Sequence, residues 1–527
     1  MHDSTSTRHY PEKNPAFLSD LLLAALLSII GLICIPDNAL FQSDVLYIPS
    51  IVEDLSRSVS LSGWSFSPAP YFFPDMLLYA MVYLPIGDHS IAIRIYGFIQ
   101  AALVFLILIR MFSPPGRRAP IYRLLFIPVT SVLLLYQDFY ALLYLPGMHC
   151  MALFITLFLF YRLRREENIT SDRSWLYLAL TALIIASDRI FIAYFVLPLS
   201  ISILLALRLR KRNPEYAARV PSQRLAHWAR VAGFGSLAGL ALFAIVRAVL
   251  TLERPARIGI LDSGRAMVHD LSTGFSAPLL FWIQLGGLLL YGALLLQRLL
   301  FASEKEFRGE RPSILFFGRI SSSNILLFLF IPIVLALLSG GYIDAYSIRY
   351  FAGSIIASNA GVLAAISNLS RRPGRPSRFT GPLITQFRAK GPHALAVLAI
   401  SVVWFVRPSH SVYYYPDHVQ CVDRWVQESG LSTKSVVVMA DYWHAKSIYL
   451  FGQFHEFSYH ADYATGQPSR TIANMNWWEG RWPPDAVWMK GLDPAVVQNA
   501  LNSPVEILPC GGSELWIYHK GNSKGSR

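Results

Sequence analysis

Charge is what this sequence lacks. Of its 527 residues only 15% are Asp, Glu, Lys or Arg, while 54% are hydrophobic. A soluble globular chain carries roughly a quarter charged residues, so the deficit points to lipid as the solvent. Cysteine is scarce too, with Cys34, Cys150, Cys421 and Cys510 the full set. Their spacing, and that of the histidines, has no metal-site pattern. No small-residue cleavage site follows the first apolar run, so residues 17–36 read as an uncleaved signal anchor. The formal net charge is +13. Its basic residues sit in short clusters between apolar runs, a pattern of membrane topology that excludes sequence-specific nucleic-acid binding.

What is present is a series of long apolar runs. A helix needs about twenty apolar residues to cross roughly 30 Å of hydrocarbon. Residues 17–36, 91–112, 229–252, 276–299, 316–339 and 350–368 meet this, with a shorter run at 392–406. Residues 124–161 and 175–207 are too long for one span and carry arginine clusters at both ends, so each is split in two. The turns fall near Tyr136–Tyr140 and at Ser187–Ile190. The predicted fold is an α-helical polytopic membrane protein of about eleven spans.

Positive charge sets the expected orientation. Clusters such as Arg162, Arg164 and Arg165 and Arg371, Arg372 and Arg375 all fall on one side, assigned as cytoplasmic. The chain then divides into a cytoplasmic tail (1–16), a transmembrane domain (17–407) whose first outer loop is 37–90, and an extracytoplasmic α/β domain (408–527). In that last part SVVVMADYW, AVWMK, VEILPC and ELWIYH read as short strands, and 416–429 and 494–501 as helices. Cys421 and Cys510 fall within it, where an oxidising compartment allows a disulfide. Within the first loop, DMLLYAMVYLP is apolar but too short to span, and reads as a helix lying along the interface.

Ionisable residues from separate loops gather on the outer face: Asp44, Asp75, Asp138, His149, Asp188, Arg189, Asp344 and Arg349. Such groups at a membrane boundary are costly and mark functional sites. Each one alone also reads as solvated loop surface; their convergence suits a lipid-borne anionic substrate and a water-side acceptor.

The segment FQSDVLYIPSIVEDL resembles the first outer loop of the C-type (GT-C) membrane glycosyltransferases, which carry an acidic residue there. That superfamily includes protein O-mannosyltransferases, aminoarabinose transferases and oligosaccharyltransferases. PAPYFFPDMLLYAMVYLPIGDHSIAIRIYGFIQ is similar to their juxtamembrane helix and following span, ASDRIFIAYFVLPL to their short helix, turn and long helix, and IRYFAGSII to their late Arg-Tyr segment. The chain departs from the pattern at Val45, which stands in place of a second acid, and at Pro70–Asp75, where the family has His-Pro-Pro. The late segment also lacks the family's proline.

The resemblance implies sugar transfer from a polyprenyl-phosphate donor to a glycan, lipid-linked polysaccharide or protein on the outer face of a bacterial inner membrane. Asp44 is then the general base, and Arg349, followed by Tyr350, the cation for the leaving phosphate. Asp75 begins the interface helix as a substrate contact or a helix cap. His149, about two turns inside a span, meets the donor phosphate or a neighbouring helix. Asp138 is a second acidic contact, and Arg189 a substrate-side cation paired with Asp188. No cofactor is specified, though a divalent cation would be compatible. The aromatics Tyr413–Tyr415, Trp443, Trp477, Trp478 and Trp482 read first as interface anchors and core, and second as an acceptor-glycan platform. Three other readings compete: a lipid-glycan flippase or transporter, a non-catalytic GT-C-like protein, and a polysaccharide polymerase or ligase. The last relies on basic residues in a large mid-chain outer loop, which this chain does not show.

Overall fold

The computed structural model describes residues 15–112, 140–165, 171–212, 222–270, 278–301, 319–369, 413–429, 436–453 and 457–518, with single positions at 272, 397, 400 and 401. Most of the described chain before residue 400 is helix. Among the described residues four helices are long and apolar enough to cross a membrane: Phe17–Cys34, His89–Phe112, Ile192–Lys211 and Ser222–Val249. Their surfaces fit that medium. Leu22, Leu237, Ile245 and Leu204 are each exposed by 60% or more, a burden in water but not in lipid. This is a membrane protein.

Shorter apolar helices follow at Phe72–Ile86, Cys150–Leu163, Ser174–Ser187, Trp282–Gln297, Ser323–Leu338 and Ala352–Ala364. The run 175–207 is indeed broken in two, since one helix ends at Ser187 and the next turn begins at Ile192. The expected spans at 392–406 and in the first half of 124–161 lie largely outside the described residues. Helices approach closely where glycine permits it. At Gly97 an added Cβ would lie 2.5 Å from the Tyr144 carbonyl oxygen, so the 141–144 turn can rest directly on the His89–Phe112 helix.

The first loop is a folded element. Helix Tyr47–Ser56 is buried along nearly its whole length, and strand β1 (Ser65–Phe66) pairs in parallel with β2 (Thr251–Leu252). The interface helix Leu77–Ile86 exposes Leu77, Met81 and Leu84 while burying Tyr79, Val82 and Tyr83. That two-sided pattern is what a helix between lipid and protein requires.

The C-terminal part is the expected small α/β domain. Its five-stranded sheet runs β4-β3-β5-β7-β6, from β3 (Val437–Ala440), β4 (Phe457–His460), β5 (Ala486–Trp488), β6 (Glu506–Cys510) and β7 (Ser513–Ile517). The three strands β4, β3 and β5 are parallel, and β7 and β6 close the sheet antiparallel. Helix Asp417–Ser429 packs Val419, Val422 and Trp425 with Val438, Trp488 and Leu515 in a separate apolar core. Cys421 and Cys510 form a disulfide between that helix and β6, with Cα atoms 5.6 Å apart. Two elements differ from the sequence reading. Strand β4 was not expected, and the end of DYW opens a helix, Tyr442–Phe451, because Asp441 caps it through the His444 amide.

This domain sits on the first loop through Asp54, whose side chain is fully buried. Asp54 accepts from Trp64 Nε1 at 2.7 Å, Asn474 Nδ2 at 2.8 Å, Trp477 Nε1 at 3.0 Å and the Tyr449 hydroxyl. A buried carboxylate is tolerable only with such full satisfaction. Trp64 and Trp477 also meet edge-on with centroids 5.3 Å apart.

Candidate functional site

Where the domain meets the loop there is a cavity of about 420 Å³. Five stretches line it: the first loop (Asp44, Tyr71), the turn Gly147–His149, residues 253–256, residues 341–350, and the C-terminal domain (Tyr442, Trp443, Thr471). The lining is mixed polar and aromatic, as in sites that orient a small ligand.

Asp44 lies on the wall, its side chain 26% exposed. One oxygen accepts a 2.6 Å hydrogen bond from the Tyr442 hydroxyl, and the other is 3.8 Å from Arg349 Nη1. Arg349 is carried on the short helix Ala345–Tyr350, which Asp344 and Ser347 cap reciprocally. Its guanidinium lies 5.4 Å from the Tyr350 ring centroid, and its buried Nε–H has no hydrogen-bond partner among the described residues. The side chain as a whole is 28% exposed and lines the cavity, which leaves a cation on its wall.

Next to Asp44, Lys446 is buried at 1% exposure. It donates to Ser43 Oγ at 3.0 Å and stands 4.3 Å from the centre of the Tyr442 ring. Burial pushes its ammonium down to about 8 against the opposing pull of Asp44. Tyr442 and Lys446 are four residues apart on one face of a helix, Tyr442 on the cavity wall and Lys446 buried behind it.

His149 and Tyr71 also line the cavity, with the His149 ring centroid 5.5 Å from that of Tyr350. Both are non-glycine residues in the left-handed region, at φ 64° and 57°, a conformation that clusters at functional sites. His149 Nδ1 lies 2.7 Å from Asp188 Oδ2, which fixes the ring proton there, and the Tyr71 hydroxyl stands 3.3 Å from the ring nitrogens.

Of the residues singled out in the sequence, Asp44, His149, Arg349 and Tyr350 line the cavity together, and Asp344 does so as well. His149 is not two turns inside a span. It is the last residue before helix Cys150–Arg165, because Gly147 and His149 both take positive φ and make a turn. Asp75 sits behind the wall at 3% exposure, accepting from the Tyr96 hydroxyl at 2.9 Å and from the Gly147 amide at 3.4 Å. It therefore braces the turn that carries His149.

Arg189 does not pair with Asp188, which is taken by His149. It donates instead to the Pro68 carbonyl at 3.2 Å and lies 4.2 Å from the Phe243 ring centroid, holding the first loop from outside. Asp138 lies outside the described residues. Sequence reasoning missed Tyr442, Lys446 and Tyr71. For the first two the available signal was Asp441, a capping residue ahead of YWHAKSIYLF. Among the described residues no group of three or more His, Cys, Asp or Glu side chains is placed to hold a metal ion.

Fold and site together define a helical membrane protein whose C-terminal α/β domain closes a polar, aromatic cavity over the first loop. No protein-family model and no curated protein matches the chain.

Proposed function

We propose that the protein is a membrane glycosyltransferase of the GT-C type, using a polyprenyl-phosphate-linked sugar and acting on a glycan, lipid-linked polysaccharide or protein. In this reading the chain has about eleven spans in a bacterial inner membrane, with its N-terminus cytoplasmic and its C-terminal domain outside. The observation that supports it is the meeting of Asp44 and Arg349, 3.8 Å apart, on one cavity wall.

The chemistry asks for that pair. An acceptor hydroxyl attacks the anomeric carbon, and its proton passes to the Asp44 carboxylate. The bond from that carbon to the phosphate oxygen breaks, and the electron pair leaves with the lipid phosphate. A positioned base contributes about a hundredfold to ten-thousandfold. A fixed cation facing the developing phosphate charge contributes on a similar scale, about a hundredfold or more. Arg349, 28% exposed and lining the cavity, is the cation on that wall. His149, aimed by Asp188, is a second donor to the same anion.

The test compares envelope glycans of cells lacking the protein with cells given back the wild type, Asp44→Asn or Arg349→Ala. The expected result is one glycan feature lost on deletion, restored by the wild type and by neither variant at equal membrane levels. Unchanged glycans on deletion would end the proposal. Restoration by Asp44→Asn would remove Asp44 as the base, and lipid-linked sugar building up on the cytoplasmic leaflet would indicate a flippase instead.

A further inference from the structure

Seven tryptophans belong to the described C-terminal domain. Trp425, Trp477, Trp488 and Trp516 are buried, and Trp478 and Trp482 are partly so. Trp443 alone among them is exposed, at 42%. Its ring stacks on that of Tyr346, which is 50% exposed, with centroids 6.2 Å apart and planes 28° from parallel. Both rings line the cavity.

The two come from opposite parts of the molecule, and each adjoins the chemistry. Trp443 follows Tyr442, the residue bonded to Asp44, and the two rings meet edge-on at 5.2 Å. Tyr346 lies three positions before Arg349 on the same short helix. Burial and the charges of Asp44 and Asp344 push the Tyr346 hydroxyl up. Glu253, Arg254, Asp344 and Thr471 supply hydrogen-bonding groups along the same cavity.

We infer that Trp443 and Tyr346 form an acceptor subsite that binds a sugar ring, so that the acceptor is a carbohydrate. A pyranose has an apolar face of C–H groups and a rim of hydroxyls. Exposed, rigid aromatic surface takes the face, and neighbouring carboxylate, guanidinium and hydroxyl groups take the rim. Asp44 lines the same cavity and is bonded to Tyr442, the residue before Trp443, so a ring held on this pair shares the cavity with the proposed base. That it is an acceptor rests on the glycosyltransferase reading; that it binds sugar does not.

The experiment is saturation-transfer NMR on the full-length protein in lipid nanodiscs, which needs no turnover. The probes are oligosaccharides released by mild acid from the source cell's own envelope, and a Ser/Thr-rich peptide. Saturable binding of at least one oligosaccharide by the wild type is expected. Trp443→Ala and Tyr346→Ala should each weaken it about tenfold, and Trp443→Phe, which keeps a ring, much less. Unchanged affinity in both alanine variants overturns the subsite, as does saturable binding of the peptide alone or of no probe. Should Trp443→Ala fail to fold, Tyr346→Ala and Trp443→Phe decide. If Asp44→Asn restores normal glycans in cells while Trp443→Ala loses sugar binding, the sugar site stands and the proposed base falls.

Discussion

The Tyr442 hydroxyl donates a 2.6 Å hydrogen bond to Asp44, across 398 positions of sequence. A hydrogen bond to a charged group is worth about 1.5–3 kcal/mol, and much of that is orientation of the carboxylate. Tyr442→Phe keeps the ring under Lys446 and deletes only the donor. Glycan output in complemented cells is expected to fall about tenfold with little change in thermal midpoint. Full output would show that Asp44 needs no such partner.

Asp188 plays the corresponding part for His149, and is 4% exposed. Asp188→Asn matches its shape but presents a donor or an acceptor by turns, so the ring proton is no longer fixed on Nδ1. Output should fall by about tenfold or more while the protein still accumulates in the membrane. A variant as active as the wild type would leave His149 a packing residue.

Lys446 gives a stability signature with a definite sign. Its ordinary value is 10.5 and burial lowers it to about 8 in the fold. The cost of burying the cation is therefore full below pH 8. Between about pH 8 and 10.5 the unfolded chain holds the proton and the folded chain does not, so stability rises with pH. The span corresponds to roughly 3 kcal/mol. Lys446→Met should flatten this rise in the difference between the two melting profiles, and be the more stable protein below pH 8. Parallel profiles would place the charge in water.

Asp54 is the tie between loop and domain, with four donors and no exposed surface. Asp54→Ala strands those donors in the interior at a cost of about 1–3 kcal/mol for each one left unsatisfied. A thermal midpoint lowered by several degrees is expected, together with loss of sugar binding at Trp443, because the domain would no longer hold that ring over the loop. An unchanged midpoint would contradict the tie.

Much of this was legible in the sequence, for a physical reason. Lipid imposes long apolar runs, and these gave the helices from Phe17 onward. The short runs rich in Val, Ile and aromatic residues in the last part gave β3, β5, β6 and β7. Asp44 and Arg349 were visible because ionisable residues beside apolar runs are few. Tyr442 and Lys446 were not, since nothing in a local stretch says which residue hundreds of positions away it will touch. His149 was misplaced because hydropathy averages over a window and overlooks a turn at Pro146–Gly147. Arg189 was paired with its neighbour Asp188, although adjacent side chains at a turn diverge and the fold offered the Pro68 carbonyl instead.

The contact between Asp44 and Tyr442 also sets when the protein can first work. Synthesis at about 5–20 residues per second separates these two positions by some tens of seconds. Throughout that interval the carboxylate lacks the Tyr442 donor and the domain that completes its surroundings. On the proposed glycosyltransferase reading, a half-made chain would occupy the bilayer without consuming lipid-linked sugar, and competence would arrive only as the C-terminal domain folds.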